Sequence, residues 1–522
     1  MSTNLILDTI HATIERPIVI IGAGPAGLTS AYELARRGIP CLVLDADSRV
    51  GGLAQTVEYK GFRFDIGGHR FFTKVAAVAE LWRTMLGADF LRRPRLSRIY
   101  YNGKFFDYPL KPFNALSNLG VFQSLTILAS YFWVKLRPVK PELSLEAWVT
   151  NRFGRRLYKM FFETYTEKVW GIPCRTINAQ WAAQRIKGLS LTTAVINMVR
   201  PSRNRSGGQT IKTLIDEFEY PRLGPGMMWD AFRDEIVRLG GRIELETRVT
   251  GIHHEHGKIS SVSLLRDGRT VEQPVSHLIS TMPVRDLIRA LQPPAPAAIR
   301  DRAEHLKYRD FLTVALIVDD ADLFPDNWIY IHDSSVKVGR IQNFKNWSPD
   351  MVPDATKTCL GLEYFCTVGD ELWSMSDEQL VELGRIEIGR IGLARSERVL
   401  DGTVVRMPKA YPVYDDGYQE VVDAMREYVD PFENLQLIGR NGTHKYNNQD
   451  HSMVMAMLAV RNLFGEKHDL WALNADDEYH EEVREGEGDA TSQLDRDLRN
   501  LAATQPLVPS TIAPRGSTGG VL

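Results

Sequence analysis

The hydrophobic pattern opens with a β-branched run, Ile18-Val-Ile-Ile21, too short and too uniformly apolar for an amphipathic helix. Such a run predicts a parallel strand covered on both faces. A helical segment follows through Arg37, and a second apolar strand, Cys41-Leu-Val-Leu44, completes a β-α-β unit. From about Pro112 to Gly207 the periodicity turns helical, with amphipathic patches such as Leu157-Tyr-Lys-Met-Phe-Phe-Glu163. Strand patterns return at Arg242-Ile-Glu-Leu-Glu246, Leu278-Ile-Ser280, Phe311-Leu-Thr-Val-Ala-Leu-Ile317 and Cys359-Leu-Gly-Leu-Glu-Tyr364, and a last helical run starts at Met453. The apolar stretch 119–136 nears the length of a short membrane span. Gln123, Ser124, Thr126, Ser130 and Lys135 interrupt it, so it predicts a buried or partly exposed helix, and membrane contact is not expected. From about Glu485 the periodicity fades and a mobile tail is expected.

Composition narrows the function classes. Lys+Arg 63 against Asp+Glu 65 excludes a polybasic nucleic-acid binder. The four cysteines, Cys41, Cys174, Cys359 and Cys366, form no Cys-x-x-Cys pair, and the first fifteen residues lack the order of a secretory signal. A reducing, cytoplasmic setting is expected, with no metal site.

The chemistry begins where the first strand ends, at Gly22-Ala-Gly24-Pro25-Ala26-Gly27. Gly22 permits a tight turn, Gly24 lets a pyrophosphate approach the backbone, and Gly27 lets the helix pack close to the strand. The helix N-terminus then directs unpaired N–H groups at phosphate. Asp45 ends the second strand, about twenty residues beyond the glycines, placed to accept hydrogen bonds from ribose hydroxyls. A second glycine pair follows in Arg49-Val-Gly51-Gly52-Leu53. It resembles the extended FAD-binding signature of glutathione-reductase-like and amine-oxidase-like flavoproteins, and implies FAD as the dinucleotide.

Two further segments sharpen the resemblance. Gly61-Phe-Arg-Phe-Asp65-Ile-Gly67-Gly68-His69 stands where such flavoproteins bring a loop to the isoalloxazine. Gly439-Arg440-Asn-Gly442 and Tyr446-Asn-Asn448-Gln449-Asp450-His451-Ser452 precede the last helix. Together they resemble the UDP-galactopyranose mutase family, particularly its larger eukaryotic-type members, within the FAD-dependent amine-oxidase-like superfamily. The resemblance runs with gaps from about Ile18 to Phe464. It implies pyranose–furanose interconversion of a nucleotide sugar, through an adduct at N5 of the reduced flavin, with NADPH or NADH as reductant. Arg185 and Arg340 match the family's pyrophosphate-binding arginines, suited to phosphate because a guanidinium binds bidentately and stays charged. Trp170, Trp181, Tyr330, Tyr411 and Tyr446 match other substrate-binding segments, and His69 is placed beside the flavin. Val249 stands where relatives give backbone contacts to adenine, and Thr281 at the crossing into the substrate sheet.

There are departures. Where the family holds uracil near Tyr-Pro-Phe-Gln, this chain reads Tyr108-Pro109-Leu110-Lys111, and Trp347 replaces a family tyrosine. The pyrophosphate grip is retained while the base and sugar are left open.

The expected fold is α/β: a Rossmann-like, glutathione-reductase-like FAD-binding domain with a helical insertion and an antiparallel substrate-sheet domain. An N-terminal extension occupies 1–16, and FAD-binding parts fall at 17–111, 211–283 and 431–466. The helical substrate domain covers 112–210, the substrate sheet 284–430, and a C-terminal extension 467–522. The competing reading is an amine-oxidase-like or protoporphyrinogen-oxidase-like oxidoreductase. Buried arginines argue against it, because an apolar substrate gives them no anion. A flavin-binding scaffold without turnover is a third class.

Overall fold

The computed structural model describes residues 16–108, 112–177, 179 and 217–473. Leu110, Lys111, Trp181 and Arg185 lie outside the described residues, as does the tail expected from about Glu485.

The first β-branched run sits third in a five-stranded parallel sheet. Its order is Leu435–Leu437, His277–Ser280, Ile18–Ile21, Cys41–Leu44, Arg242–Glu244. Ile18, Ile20 and Val43 pack on one face with helices Pro25–Ala35, Gly226–Arg238 and Gln449–Leu463. Val19, Ile21, Leu42 and Leu44 pack on the other with helices Val284–Ala290 and Tyr418–Val429. A four-stranded sheet, Arg269–Pro274, Lys258–Arg266, Arg248–Glu255, Leu291–Gln292, lies on that second side. Burial on both faces explains why these strands read as unbroken apolar runs rather than alternating ones.

The second large layer is a seven-stranded sheet. Its order is Val399–Pro412, Tyr308–Val318, Thr358–Cys366, Arg340–Asn343, Trp328–Ile331, Ser97–Tyr101, Lys104–Asp107. The expectation of an antiparallel sheet is corrected at one pairing, where Trp328–Ile331 runs parallel to Ser97–Tyr101. Parallel pairing follows because those two strands reach the sheet from distant parts of the chain, with no hairpin between them. The two outer strands come from within the stretch 17–111, so the early chain contributes to both layers. Leu312, Val314, Leu316 and Val318 bury one face of the long central strand with Leu380 and Ile388 of helix Asp377–Arg390. Its Thr313 hydroxyl, on the other face, donates to the Ile66 carbonyl at 2.8 Å and ties this sheet to the hairpin Thr56–Tyr59 and Phe62–Asp65.

Helices Pro112–Leu119, Val121–Leu136, Leu145–Phe153 and Thr164–Trp170 form the insertion. Of the two expected outcomes, buried or partly exposed, Val121–Leu136 is the second: it buries only Ile127, Tyr131 and Val134 and turns a row of large apolar side chains outward.

The glycine turn carries the tightest packing between the first strand and helix. Gly22 has φ +103°, and a Cβ at Gly27 would lie 1.8 Å from the Gly22 carbonyl oxygen. That neighbour is backbone and cannot swing aside. Gly27→Ala is expected to destabilise the protein by about 3 kcal/mol or more by overpacking; a urea midpoint equal to that of the unaltered protein would sink this account of the turn.

Candidate active-site cleft

A cavity of ≈ 340 Å³ opens between the parallel sheet and the seven-stranded sheet. Its floor is built from two glycine loops in contact. Gly52, at φ +54°, has its missing Cβ 3.3 Å from the Gly24 Cα, and the Gly51 amide donates to the Ala23 carbonyl at 2.8 Å. Only paired glycines allow two backbones so close, and they leave peptide groups rather than side chains facing the cavity. Gly22, Gly24, Pro25, Ala26, Gly52 and Leu53 line this floor. Gly27 and Gly51 support it from behind.

At the edge of the floor Asp45 accepts from the Ala23 amide at 2.6 Å and the Asp47 amide at 2.9 Å. Burial raises its pKa, partly offset by those amides. Arg49, in contrast, is exposed and does not line the cavity. Val249 is also apart, packed with the core that includes the four-stranded sheet.

The opposite wall is a row of residues in register across neighbouring strands of the large sheet. Tyr330 pairs with Arg340, Arg340 with Glu363, and Glu363 with Thr313. Facing one side of the sheet, this row delivers a phenol, a guanidinium and a carboxylate to one place. Glu363 has no exposed surface. The Arg340 Nε donates to it at 2.6 Å, and Gln342 and the Gly68 amide also donate to its carboxylate. The Arg340 guanidinium is held charged, its pKa driven well up by Glu363 against the opposing cost of burial. Sequence reasoning found Arg340 but missed Glu363. The signal was a lone carboxylate inside the apolar run Cys359–Tyr364, which has to find a partner once buried.

His69 lies between the wall and the floor, following Gly67 and Gly68. Burial, then the nearby Arg440 and Arg340 charges, push its pKa down to about 3, so the imidazole is neutral. Thr281 lines the floor, its hydroxyl donating to the Ile21 carbonyl at 2.8 Å.

Gly439, Arg440, Tyr446, Asn448, Gln449, Asp450 and Ser452 close the remaining side. Helix Gln449–Leu463 starts earlier than Met453, with Asn448 as its N-cap residue but without a side-chain cap. The Gln449 side-chain Oε1 accepts instead from the Trp229 indole N–H at 3.1 Å. The helix therefore presents its uncapped first turn to the cleft, an N-terminus suited to negative charge. Arg440 spans to the Asn447 and Ala410 carbonyls and lies 4.7 Å from the Tyr446 ring centroid. Tyr411 does not line the cavity. It stacks behind Tyr446, centroids 5.5 Å apart.

Tyr108 and Tyr330 meet at 4.6 Å between centroids, and Trp347 reaches the cleft with its N–H donated to the Asn327 carbonyl at 2.9 Å. Trp170 is not brought here: it is buried in the helical insertion's core, stacked 6.3 Å from Tyr414. Arg70 and Lys74, which sequence reasoning did not select, line the cleft.

The residues fit a dinucleotide. Gly24 and Gly52 form a cradle that any Cβ would narrow, Asp45 stands beside it, and Asn441 and Asn447 are among the polar residues that line the cavity.

Comparison with known proteins gives the family and the fold. The sequence pattern of the family described as flavin containing amine oxidoreductase matches residues 25–446. A lycopene-forming phytoene desaturase of Pantoea ananas is 27% identical over 311 residues, 55% of this chain and 59% of that protein. Protoporphyrinogen oxidase 2 of Arabidopsis thaliana is 28% identical over 164 residues, 30% of this chain and 32% of that protein. The matched stretch therefore spans less than two thirds of either relative. A crystal structure of reduced UDP-galactopyranose mutase superposes with TM-score 0.75 and 20% identity, covering 88% of this chain and 98% of that one. That likeness shows a shared fold: mixed α/β with several sheets.

Two buried histidines near the cleft give a pH signature. Burial pushes His332 down to about 3 and His444 to about 4, below the ordinary 6.5. Between those values the unfolded chain binds protons that the native state refuses. Stability therefore rises with pH through this window and is lost as pH falls, by up to about 1.4 kcal/mol per pH unit for each histidine. His332→Gln and His444→Gln should each flatten the dependence of unfolding free energy on pH between about 4 and 6.5. Unchanged slopes in both variants would contradict the neutral assignment.

Proposed function

Because this chain belongs to the flavin-containing amine oxidoreductase family, we propose that its cleft holds FAD and converts a nucleotide sugar between pyranose and furanose forms. The observation that carries the reading is the charge of the cleft. Arg70, Lys74, Arg340 and Arg440 line it against Asp45 and Asp450, with the phenols of Tyr108, Tyr330 and Tyr446 between them. Guanidinium and hydroxyl groups suit diphosphate oxygens, and a cleft lined with so many of them is a poor match to an apolar substrate.

Under this reading the floor at Gly22, Gly24, Pro25, Ala26, Gly52 and Leu53 would hold the FAD pyrophosphate and Asp45 the adjoining ribose. Gly68, His69, Thr281 and the first turn of helix Gln449–Leu463 would border the flavin. Bound and reduced, with NADPH or NADH as reductant, the flavin supplies the nucleophile for such an isomerisation. Arg340 binds the substrate diphosphate, which gains charge as its bond to the sugar breaks and has to remain in place for the return step. Glu363 fixes the direction of that guanidinium, and Arg185 is assigned the second grip. His69, neutral at working pH, adds no charge beside the flavin and offers a hydrogen bond. Tyr330 and Tyr446 hold phosphate or sugar oxygens, and Tyr411 backs the Tyr446 ring.

The second reading, a hydride-removing oxidoreductase, is favoured by the sequence relatives, a desaturase and an oxidase. The two separate cleanly. Chemically reduced protein, incubated anaerobically with UDP-galactopyranose and other nucleotide sugars, should yield a chromatographic isomer of unchanged mass, absent with oxidised protein. Bleaching of the oxidised flavin by an amine or an apolar reductant, with no isomer from any sugar, would decide for the oxidoreductase. Arg340→Lys keeps a cation for Glu363 but loses the fork. It should retain the flavin spectrum and lose roughly 10- to 100-fold in turnover, the worth of a charge-assisted hydrogen bond. Arg185→Ala should lose at least as much; full turnover in either variant would refute that residue's role.

A further inference from the structure

The strongest feature outside the cleft is helix Val121–Leu136. Soluble helices turn their apolar stripe inward, and this one carries a second stripe outward. Val121 is 79% exposed, Phe122 80%, Leu125 60%, Phe132 57%, Trp133 60% and Leu136 80%. At 3.6 residues per turn these positions fall within a sector of roughly 120°. Ile127, Tyr131 and Val134, on the other side, are buried. The helix is firmly seated by that inner side. The Arg156 amide donates to the Ser130 hydroxyl at 3.1 Å, and a Cβ on Gly154 would come within 2.9 Å of the Tyr131 backbone. The outward stripe is therefore a fixed surface, and one of this size marks an interaction site.

The charge around it selects the partner. Between Asp107 and Glu142 the sequence has no acidic residue, while Lys111, Lys135, Arg137 and Lys140 all fall there. Lys135, Arg137 and Lys140 are exposed at the C-terminal end of the stripe, with the Arg137 guanidinium 5.0 Å from the Trp133 ring centroid. A two-fold contact with a second copy would set these cations near their own equivalents. An anionic bilayer surface instead gives the cations phosphate and the Phe, Trp and Leu side chains an acyl boundary. We propose that this helix docks the protein on the surface of an anionic phospholipid bilayer, lying in the interface. No helix among the described residues is long and apolar enough to cross a membrane, which agrees with a peripheral arrangement. The proposal is independent of what the cleft turns over.

The test is flotation of the full-length protein with vesicles of phosphatidylcholine, with and without phosphatidylglycerol. The expected result is flotation with phosphatidylglycerol vesicles, about tenfold or more weaker with phosphatidylcholine alone and weakened by salt. Combining Phe122→Ser, Phe132→Ser and Trp133→Ser should cut binding on the order of a hundredfold. A second variant, Lys135→Glu with Arg137→Glu and Lys140→Glu, leaves the apolar stripe intact and should lose the preference for phosphatidylglycerol. The proposal is overturned if the unaltered protein stays with the lipid-free fraction, or if both variants float as it does. It is equally overturned if the stripe instead drives a concentration-dependent dimer in lipid-free solution and no flotation occurs.

Discussion

One buried carboxylate organises the junction on which the cleft depends. Glu363 has no exposed surface, yet it receives the Arg340 guanidinium, the Gln342 amide and the Gly68 backbone N–H. Two of those partners belong to the neighbouring strand and the third to the loop that carries His69. The same carboxylate thus fixes a charged side chain and the backbone beside it. A buried ion pair contributes little net stability against a well-packed apolar replacement, but removing one partner costs about 3–5 kcal/mol. Its value here is positional: with Glu363 in place, Arg340 has one direction in which to point. Thr313, in register with Glu363, makes the second tie through the Ile66 carbonyl. Sheet and loop are thereby joined on both sides of Gly67.

That junction has its counterpart across the cavity. There the contact between Gly24 and Gly52 uses the absence of side chains, where the Glu363 wall uses their presence. The floor exposes peptide groups and a helix N-terminus, features that recognise phosphate through geometry. The wall exposes a guanidinium and phenols, which recognise a ligand through donors with defined directions. A dinucleotide lying on the first and an anionic substrate against the second would share the cavity without competing for the same groups. This division is why the fold serves many chemistries in its family: the floor can stay fixed while the wall changes.

The floor was legible in the sequence because its physics is local. Strand, glycine turn, helix, strand and acid follow within thirty residues or so, and Gly22, Gly24, Gly52 and Asp45 all line one cavity. The wall is assembled from strands far apart in the chain, so only residues with a recognisable context, such as Tyr330 and Arg340, could be selected. Glu363, Arg70 and Lys74 carried no such context. Trp170 shows the opposite failure: an aromatic in a matching segment proved to be core of the helical insertion. Arg49 is exposed and away from the cavity, while the Val249 side chain packs into the core and the contact expected of it is one of backbone. The outward face of Val121–Leu136 was hidden for a simpler reason. Hydrophobic periodicity tells how apolar residues are distributed around a helix, but not which side the rest of the protein covers.

The electrostatics of the cleft then favour one class of ligand over another. Cations in a partly desolvated cavity raise the free energy of the unliganded protein unless counter-charges are near. Glu363 answers Arg340, and backbone carbonyls answer Arg440, yet each carboxylate or carbonyl is already fixed by its own geometry. Asp45 is occupied by the amides of Ala23 and Asp47. The cleft's lining is rich in donor groups, the phenols, the guanidinium groups and the first turn of helix Gln449–Leu463, with the Asp45 carboxylate as an acceptor at the edge of the floor. The neutral His69 adds no further positive charge to the cleft. An anionic ligand strengthens every one of these contacts as water leaves, because each is stronger in a low dielectric. An apolar one would gain nothing from them. The same reasoning applied outside gives the complementary result at Val121–Leu136, where apolar side chains face water and cations flank them. Cleft and outer helix share one arrangement, cations set beside aromatic or apolar side chains.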